Sequence, residues 1–216
     1  MIAGVVPTAG QPFETIQFND KHPVTNPVTG QLLQPIPFHT TTQGFSVAAG
    51  QALPTLDLPR VFVLTGSDTC SASEAIINSL RGVGVQVIQI GSTTCGKPYG
   101  FYPTDNCGTT YFTIQFRGVN AANFGDYADG FSPNNTISNP GELLPGCSVA
   151  DDFSAQLGDP TEARLAAALA YRDSPGTCPP PTGSRGARQA QRGMGALPLD
   201  DEMWKNPWLK NRIMRP

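Results

Sequence analysis

Two short stretches of this chain hold residue types that can carry chemistry: Ser71-Ala72-Ser73-Glu74 and Thr94-Cys95-Gly96-Lys97. The second lies inside Gly91-Ser-Thr-Thr-Cys-Gly96-Lys97, which has the spacing of a phosphate-binding loop. Such a loop needs a hydroxyl residue after the lysine to hold magnesium, and a helix there whose N-terminus faces the phosphates. Lys97 is followed instead by Pro98 and the run Tyr-Gly-Phe-Tyr-Pro, which should be extended, so the nucleotide reading is set aside. The first stretch puts small hydroxyl residues between an apolar strand-like run and a helix-like run. A serine there can be exposed as a nucleophile, with N–H groups of the helix start available to an oxyanion. Serine needs a base. A lysine serves where burial disfavours its ammonium form. Singly, Ser71 or Ser73 reads as a helix cap and Lys97 as a solvated surface lysine. Together, at this spacing, they read as a Ser–Lys dyad.

The segment GSDTCSASEAIINSLRGVGVQVIQIGSTTCGKPYGFYP resembles the core of the tail-specific, or C-terminal-processing, serine proteases. Their hallmark is Ser-Ala-Ser-Glu opening a helix, then a strand, then Thr-x-Gly-Lys. The resemblance is firm over 59–118 and weaker through GDYADGFSP and the helix near Ala167. It implies a crotonase/Clp-like catalytic core with Ser71 as nucleophile, Lys97 as general base and the Ala72 N–H as one oxyanion donor. It implies no metal and no organic cofactor. It also implies protein or peptide substrates from the cell envelope and a periplasmic or envelope setting. Three departures stand out. The Ser71–Lys97 connection is one residue longer than usual, which a turn at Gly82–Gly84 can absorb. Phe101 occupies the place where many members have a glutamine orienting the lysine, leaving Tyr99, Tyr102 or a backbone carbonyl for that task. The Gly-rich strand–turn that supplies a second oxyanion donor does not precede residue 59. The chain is therefore expected to be the C-terminal part of a longer protease, with any membrane association made through the N-terminal region it lacks. A truncated or degenerate relative that binds peptides without cleaving them is the alternative.

The elements that must position these residues are legible as an α/β pattern. RVFVLTG reads as a buried parallel strand. SASEAIINSLRG reads as a helix ended by Gly82, and VQVIQIG as a second strand. A strand–helix–strand unit implies parallel strands and a right-handed crossover. PYGFYPTDNCGTTYFTIQFRG reads as a hairpin about TDNCG. DPTEARLAAALAYR reads as a helix with Asp159 at its cap, Pro160 first and Glu162 in the first turn. Residues 1–58 lack periodicity and read as a long irregular arm, 59–175 as the protease core, and 176–216 as a flexible Pro/Gly/Arg-rich linker and a tail with Trp204 and Trp208.

Composition agrees with one globular unit: 216 residues, 39% hydrophobic, 14% charged, with 23 glycines and 21 prolines. The part through Pro181 carries net −7 and the remainder +4, an acidic body that argues against nucleic-acid binding. The basic end reads as a solvated tail, with an acidic surface or lipid headgroups as the weaker alternative. No N-terminal secretory signal is evident. The five cysteines form no CxxC pair and only two histidines accompany them, so zinc is not expected. In an oxidising compartment Cys95–Cys107 would pair across the hairpin and Cys147–Cys178 around the last helix, leaving Cys70 free; in a reducing one all five would be thiols. Cys70 as the nucleophile, or a triad using His39, finds no supporting pattern, since both histidines lie in the arm.

Overall fold

The computed structural model describes residues 8, 10–56, 58–137 and 141–182. The tail beyond Thr182, with both tryptophans, lies outside them. The chain begins with β1 (Pro12–Gln17) and the short β2 (Ile36–Pro37), then β3 (Arg60–Thr65), α1 (Ala72–Gly82) and β4 (Gln86–Gly91). Next come β5 (Tyr99–Gly100), the hairpin β6 (Thr104–Asn106) and β7 (Thr109–Tyr111), and β8 (Phe116–Val119). β9 (Phe131–Pro133), β10 (Glu142–Leu144), β11 (Gly146–Ser148) and α2 (Ala163–Asp173) complete the described part.

β3, α1 and β4 form the expected unit. The two strands are parallel and in register from Arg60↔Gln86 to Thr65↔Gly91, and β11 joins the other side of β4, parallel as well. β4 is buried on both faces, as a central parallel strand should be. Val87 points into a cluster with Ile77, Leu80, Tyr127, Phe131 and Leu144. Ile88 and Ile90 point the other way, into a cluster with Cys147, Val149, Ala167, Ala168 and Tyr171. The sheet is thus covered by α1 on one face and α2 on the other. Ile77 and Leu80 are almost fully buried, each burial favouring the fold by about 1.5–3 kcal/mol. α1 ends at Gly82, and Gly84, at φ 82°, makes the turn into β4.

The N-terminal segment is more ordered than its sequence suggested. β1 lies inside a four-stranded sheet of order β2-β1-β8-β5, antiparallel to β8, and packs against α1. Pro12-Phe-Glu-Thr-Ile-Gln buries Glu14 and Ile16 on one face, a two-residue period that six residues show only weakly. Apart from β2, residues 18–56 are mostly loop. A hairpin forms where one was read, but its turn is only Cys107–Gly108, both at positive φ, because Thr104–Asn106 belong to β6; this is the backbone that two-residue hairpin turns favour. α2 starts later than expected. Glu162, not Asp159, is its N-cap and accepts from the N–H groups of Arg164 and Leu165, while Asp159 closes a separate turn with Thr161. A longer carboxylate side chain can reach back over the first turn, so the acid nearest the helix took the cap.

The cysteine pairing differs in one bond. Cys147–Cys178 forms as expected, but the second disulfide is Cys70–Cys95, and Cys107 is the exposed free thiol. Parallel register explains this. Thr65 and Gly91 are partners, so the loops that leave β3 and β4 emerge side by side and bring Cys70 to Cys95. The disulfide spans 25 positions, a closure that stabilises by about 3–4 kcal/mol in the chain-entropy account.

Candidate active site

Ser71 is the residue at which the loop from β3 turns into α1. Its backbone sits at φ 54°, ψ −109°, in a region that side chains other than glycine rarely adopt, at a cost of about 1–3 kcal/mol. A strained strand-to-helix turn of this kind lifts a serine hydroxyl clear of the backbone in nucleophile elbows. Ala72 follows as the first residue of α1. Its N–H is one of those at a helix start with no carbonyl one turn earlier to bind, so it is oriented for an anion and aided by the helix dipole.

Glu74 lies three residues after Ser71 and has no exposed surface. Its carboxylate accepts from the Ser71 N–H at 2.9 Å, which is the glutamate half of a capping box. The same carboxylate accepts from the Thr94 hydroxyl at 2.6 Å, the Gly96 N–H at 2.7 Å and the Lys97 N–H at 2.8 Å. One side chain thus binds the backbone of both proposed dyad residues. The Cys95 N–H adds a bond to the Thr69 carbonyl at 3.0 Å, and the Cys70–Cys95 disulfide closes the same gap covalently. A disulfide-bonded Cys70 holds no thiol, which removes it as an alternative nucleophile.

The lysine loop is supported from behind by residues 127–131. The Thr94 N–H donates to the Phe131 carbonyl, and the Phe131 N–H donates to the Thr94 hydroxyl. Gly96, at φ 76°, lies so close to the Ala128 carbonyl that a Cβ would collide with it. Gln89 of β4 ties the layers together, its amide donating to the Thr65 hydroxyl and to the Ser92 and Phe131 carbonyls. Tyr127 is buried against Phe131. Burial first, and then the Glu74 carboxylate, hold its phenol above the usual range.

Phe101 packs edge-on against Phe112 at the base of the hairpin and offers no hydrogen-bonding group toward Lys97. Tyr102 is buried and its hydroxyl accepts from the Asn26 amide, while Tyr99 is 40% exposed. His39 follows β2 at one edge of the four-stranded sheet, while Lys97 precedes β5 at the opposite edge. Three strand spacings, about 14 Å, separate those edges. Among the described residues no group of three or more His, Cys, Asp or Glu is arranged to hold a metal ion. A cleft of ≈ 260 Å³ opens at the carboxyl ends of β3, β4 and β11, lined by Gly66, Ser67, Asp68, Ser92, Asp151 and Arg164 among others.

The sequence reading named Ser71, Ala72 and Lys97 as candidates, and the structure brings their loops together; the reading did not so name Glu74, which joins them. Its signal was the Ser-x-x-Glu spacing of a capping box, which by itself speaks only of a helix start.

Comparison with solved structures finds a likeness to a crystal structure of a "Putative S41 protease" from Bacteroides fragilis NCTC 9343. The TM-score is 0.55 and the identity 22%, over 80% of this chain and 39% of the other. The fold, a mixed arrangement of sheets and helices, is therefore similar to part of that protein's, and this chain spans well under half of that protein's length. No family model matches the chain, and no curated protein does.

Two outcomes are expected. Glu74→Ala leaves four donors without their acceptor, each a loss of about 1–3 kcal/mol if water cannot replace it; chemical denaturation should show destabilisation of about 3 kcal/mol or more. Ser71→Gly relieves the backbone strain that Ser71→Ala keeps. It should therefore melt about 2–4 °C above Ser71→Ala, as about 1 kcal/mol implies for a protein of this size.

Proposed function

We propose that the chain carries the catalytic core of a serine endopeptidase acting through Ser71 and Lys97. The observation that carries this reading is the strained turn at Ser71, joined through the Glu74 carboxylate to the backbone of Lys97. Strain at one non-glycine residue is kept where function requires it and the surroundings enforce it. A buried carboxylate spent on holding two loops together is a costly device for a merely structural contact. The S41 protease fold supports the same reading independently of the motif.

In this mechanism neutral Lys97 takes the proton from the Ser71 hydroxyl as its oxygen attacks a peptide carbonyl. The Ala72 N–H, at the helix start, stabilises the oxyanion. The carbon–nitrogen bond then breaks, and the Lys97 ammonium returns its proton to the leaving amine. Lys97 next deprotonates a water, which opens the Ser71 ester, releases the acid product and restores the serine. The cleft beside Ser67 and Asp68 gives a substrate segment room next to the serine loop.

Cell-envelope proteins or peptides are the proposed substrates, in the periplasm or at the envelope. The two disulfides fit an oxidising compartment. No helix among the described residues is long and apolar enough to cross a membrane. One observation favours the second reading, a peptide-binding relative without turnover: Phe101 stands on Phe112 where a polar group orienting the lysine would be expected.

A fluorophosphonate probe separates the two. The oxidised wild-type protein should form an adduct at Ser71, and Ser71→Ala and Lys97→Ala should each abolish it. An adduct retained in Ser71→Ala would refute the assignment, and no adduct in a folded wild type would favour the binding module.

A further inference from the structure

We propose that the Cys70–Cys95 disulfide is a redox-sensitive positioning link that sets the reactivity of the Ser71–Lys97 pair. The inference rests on the reading of that pair as catalytic. It stands on placement: Cys70 is the residue before Ser71, and Cys95 is two residues before Lys97. The bond therefore joins the serine loop to the lysine loop beside both residues, with the Cα atoms of the two cysteines 5.3 Å apart.

The conformation of Ser71 makes the link consequential. At φ 54° the residue would relax toward ordinary helical or extended backbone unless both sides of it were held. The Glu74 carboxylate holds its own N–H. The disulfide holds the residue before it. Without the disulfide, the turn from Gly66 to Ser71 keeps the Cys95 N–H to Thr69 bond, the Ser71 N–H to Glu74 bond, the helix-start bonds to the Cys70 and Ser71 carbonyls and its own internal turn bonds, but no covalent tie to the lysine loop. The serine loop can then shift against the lysine loop, while the helix and the sheet, fixed by the two buried clusters, remain.

Access distinguishes this disulfide from the other. Cys70 and Cys95 are both partly exposed, whereas in the other disulfide Cys147 is fully buried in the α2 cluster and Cys178 alone is partly exposed. Thiol–disulfide exchange requires the attacking thiolate to reach a sulfur, so a small dithiol can attack Cys70–Cys95 at either sulfur but Cys147–Cys178 only at Cys178, which favours opening of the first. The step balances simply. The dithiol gives up two electrons and two protons, closes to its own disulfide, and leaves two thiols at Cys70 and Cys95. Re-oxidation reverses it.

The test uses the Cys107→Ser protein, so that the oxidised form carries no thiol among its five cysteine positions. It is titrated with dithiothreitol, thiols are alkylated and located by peptide mass spectrometry, and fluorophosphonate inactivation is followed at each stage. When thiols have formed at Cys70 and Cys95 alone, the limiting inactivation rate constant should fall about tenfold or more, as a misplaced reacting atom does. The probe's half-saturating concentration should stay within about twofold, because the contacts that bind it are unchanged. Hydrogen exchange at 95–97 should rise, and re-oxidation should restore both readouts. A Cys147→Ser/Cys178→Ser protein should respond in the same way, and Cys70→Ser/Cys95→Ser should be slow and indifferent to dithiothreitol. An unchanged rate constant with both thiols located, or a fast Cys70→Ser/Cys95→Ser protein, overturns the proposal. If the oxidised protein takes no probe, the catalytic reading falls. The exchange measurement then still decides the link, since unchanged protection at 95–97 after reduction refutes it.

Discussion

The carboxylate of Glu74 is sealed from solvent and receives four hydrogen bonds, from Ser71, Thr94, Gly96 and Lys97. A buried carboxylate is expensive unless its lone pairs are matched. Here three backbone N–H groups and a hydroxyl match them, and the start of α1 adds the favourable end of a helix dipole. Those donors come from two loops that are distant in sequence. Satisfying one charge therefore fixes the geometry between the loops. The interaction that makes the burial tolerable is the one that assembles the site.

The rest of the molecule brings that carboxylate and its donors together. Parallel pairing sets Thr65 beside Gly91, so both loops leave the sheet at the same edge. The amide of Gln89 binds the first loop's base, the second loop and the 131 strand at once. Gly96 must lack a side chain because the Ala128 carbonyl occupies the space. Around this frame the local strain at Ser71 persists, held by the hydrogen bond to its N–H and by the covalent bond at Cys70. The clusters on either side of β4 supply the apolar burial, which makes the sheet rigid enough to hold the loops.

Much of this was written plainly in the sequence, and the reasons for the exceptions are physical. RVFVLTG and VQVIQIG are short apolar runs ending in glycine, and SASEAIINSLRG between them has helical spacing, so the strand–helix–strand unit was legible, and with it the meeting of the Ser71 and Lys97 loops, although Leu64 and Ile76 stand exposed. β1 was not, because its inward residues are one isoleucine and one glutamate, and a buried Glu14 looks like a surface residue. The Cys70–Cys95 pairing followed from register between strands, which is a tertiary fact. Spacing along the chain favoured the hairpin instead, yet Cys107 ended at a tight turn facing solvent. Asp159 and Glu162 both suit a helix start, and only the backbone path chose between them. The role of Glu74 stayed hidden because a capping box needs only Ser71 and Glu74, whereas the donors from Thr94, Gly96 and Lys97 arrive through the fold.

Through-hydrogen-bond scalar coupling in protein uniformly labelled with nitrogen-15 and carbon-13 tests the central claim without relying on any activity. The account predicts correlations from the Ser71, Gly96 and Lys97 amide nitrogens to the one Glu74 side-chain carboxyl carbon. Correlations from Gly96 and Lys97 to any other acceptor, with Glu74 coupled to Ser71 alone, would contradict it. Glu74 would then be a helix cap and nothing more.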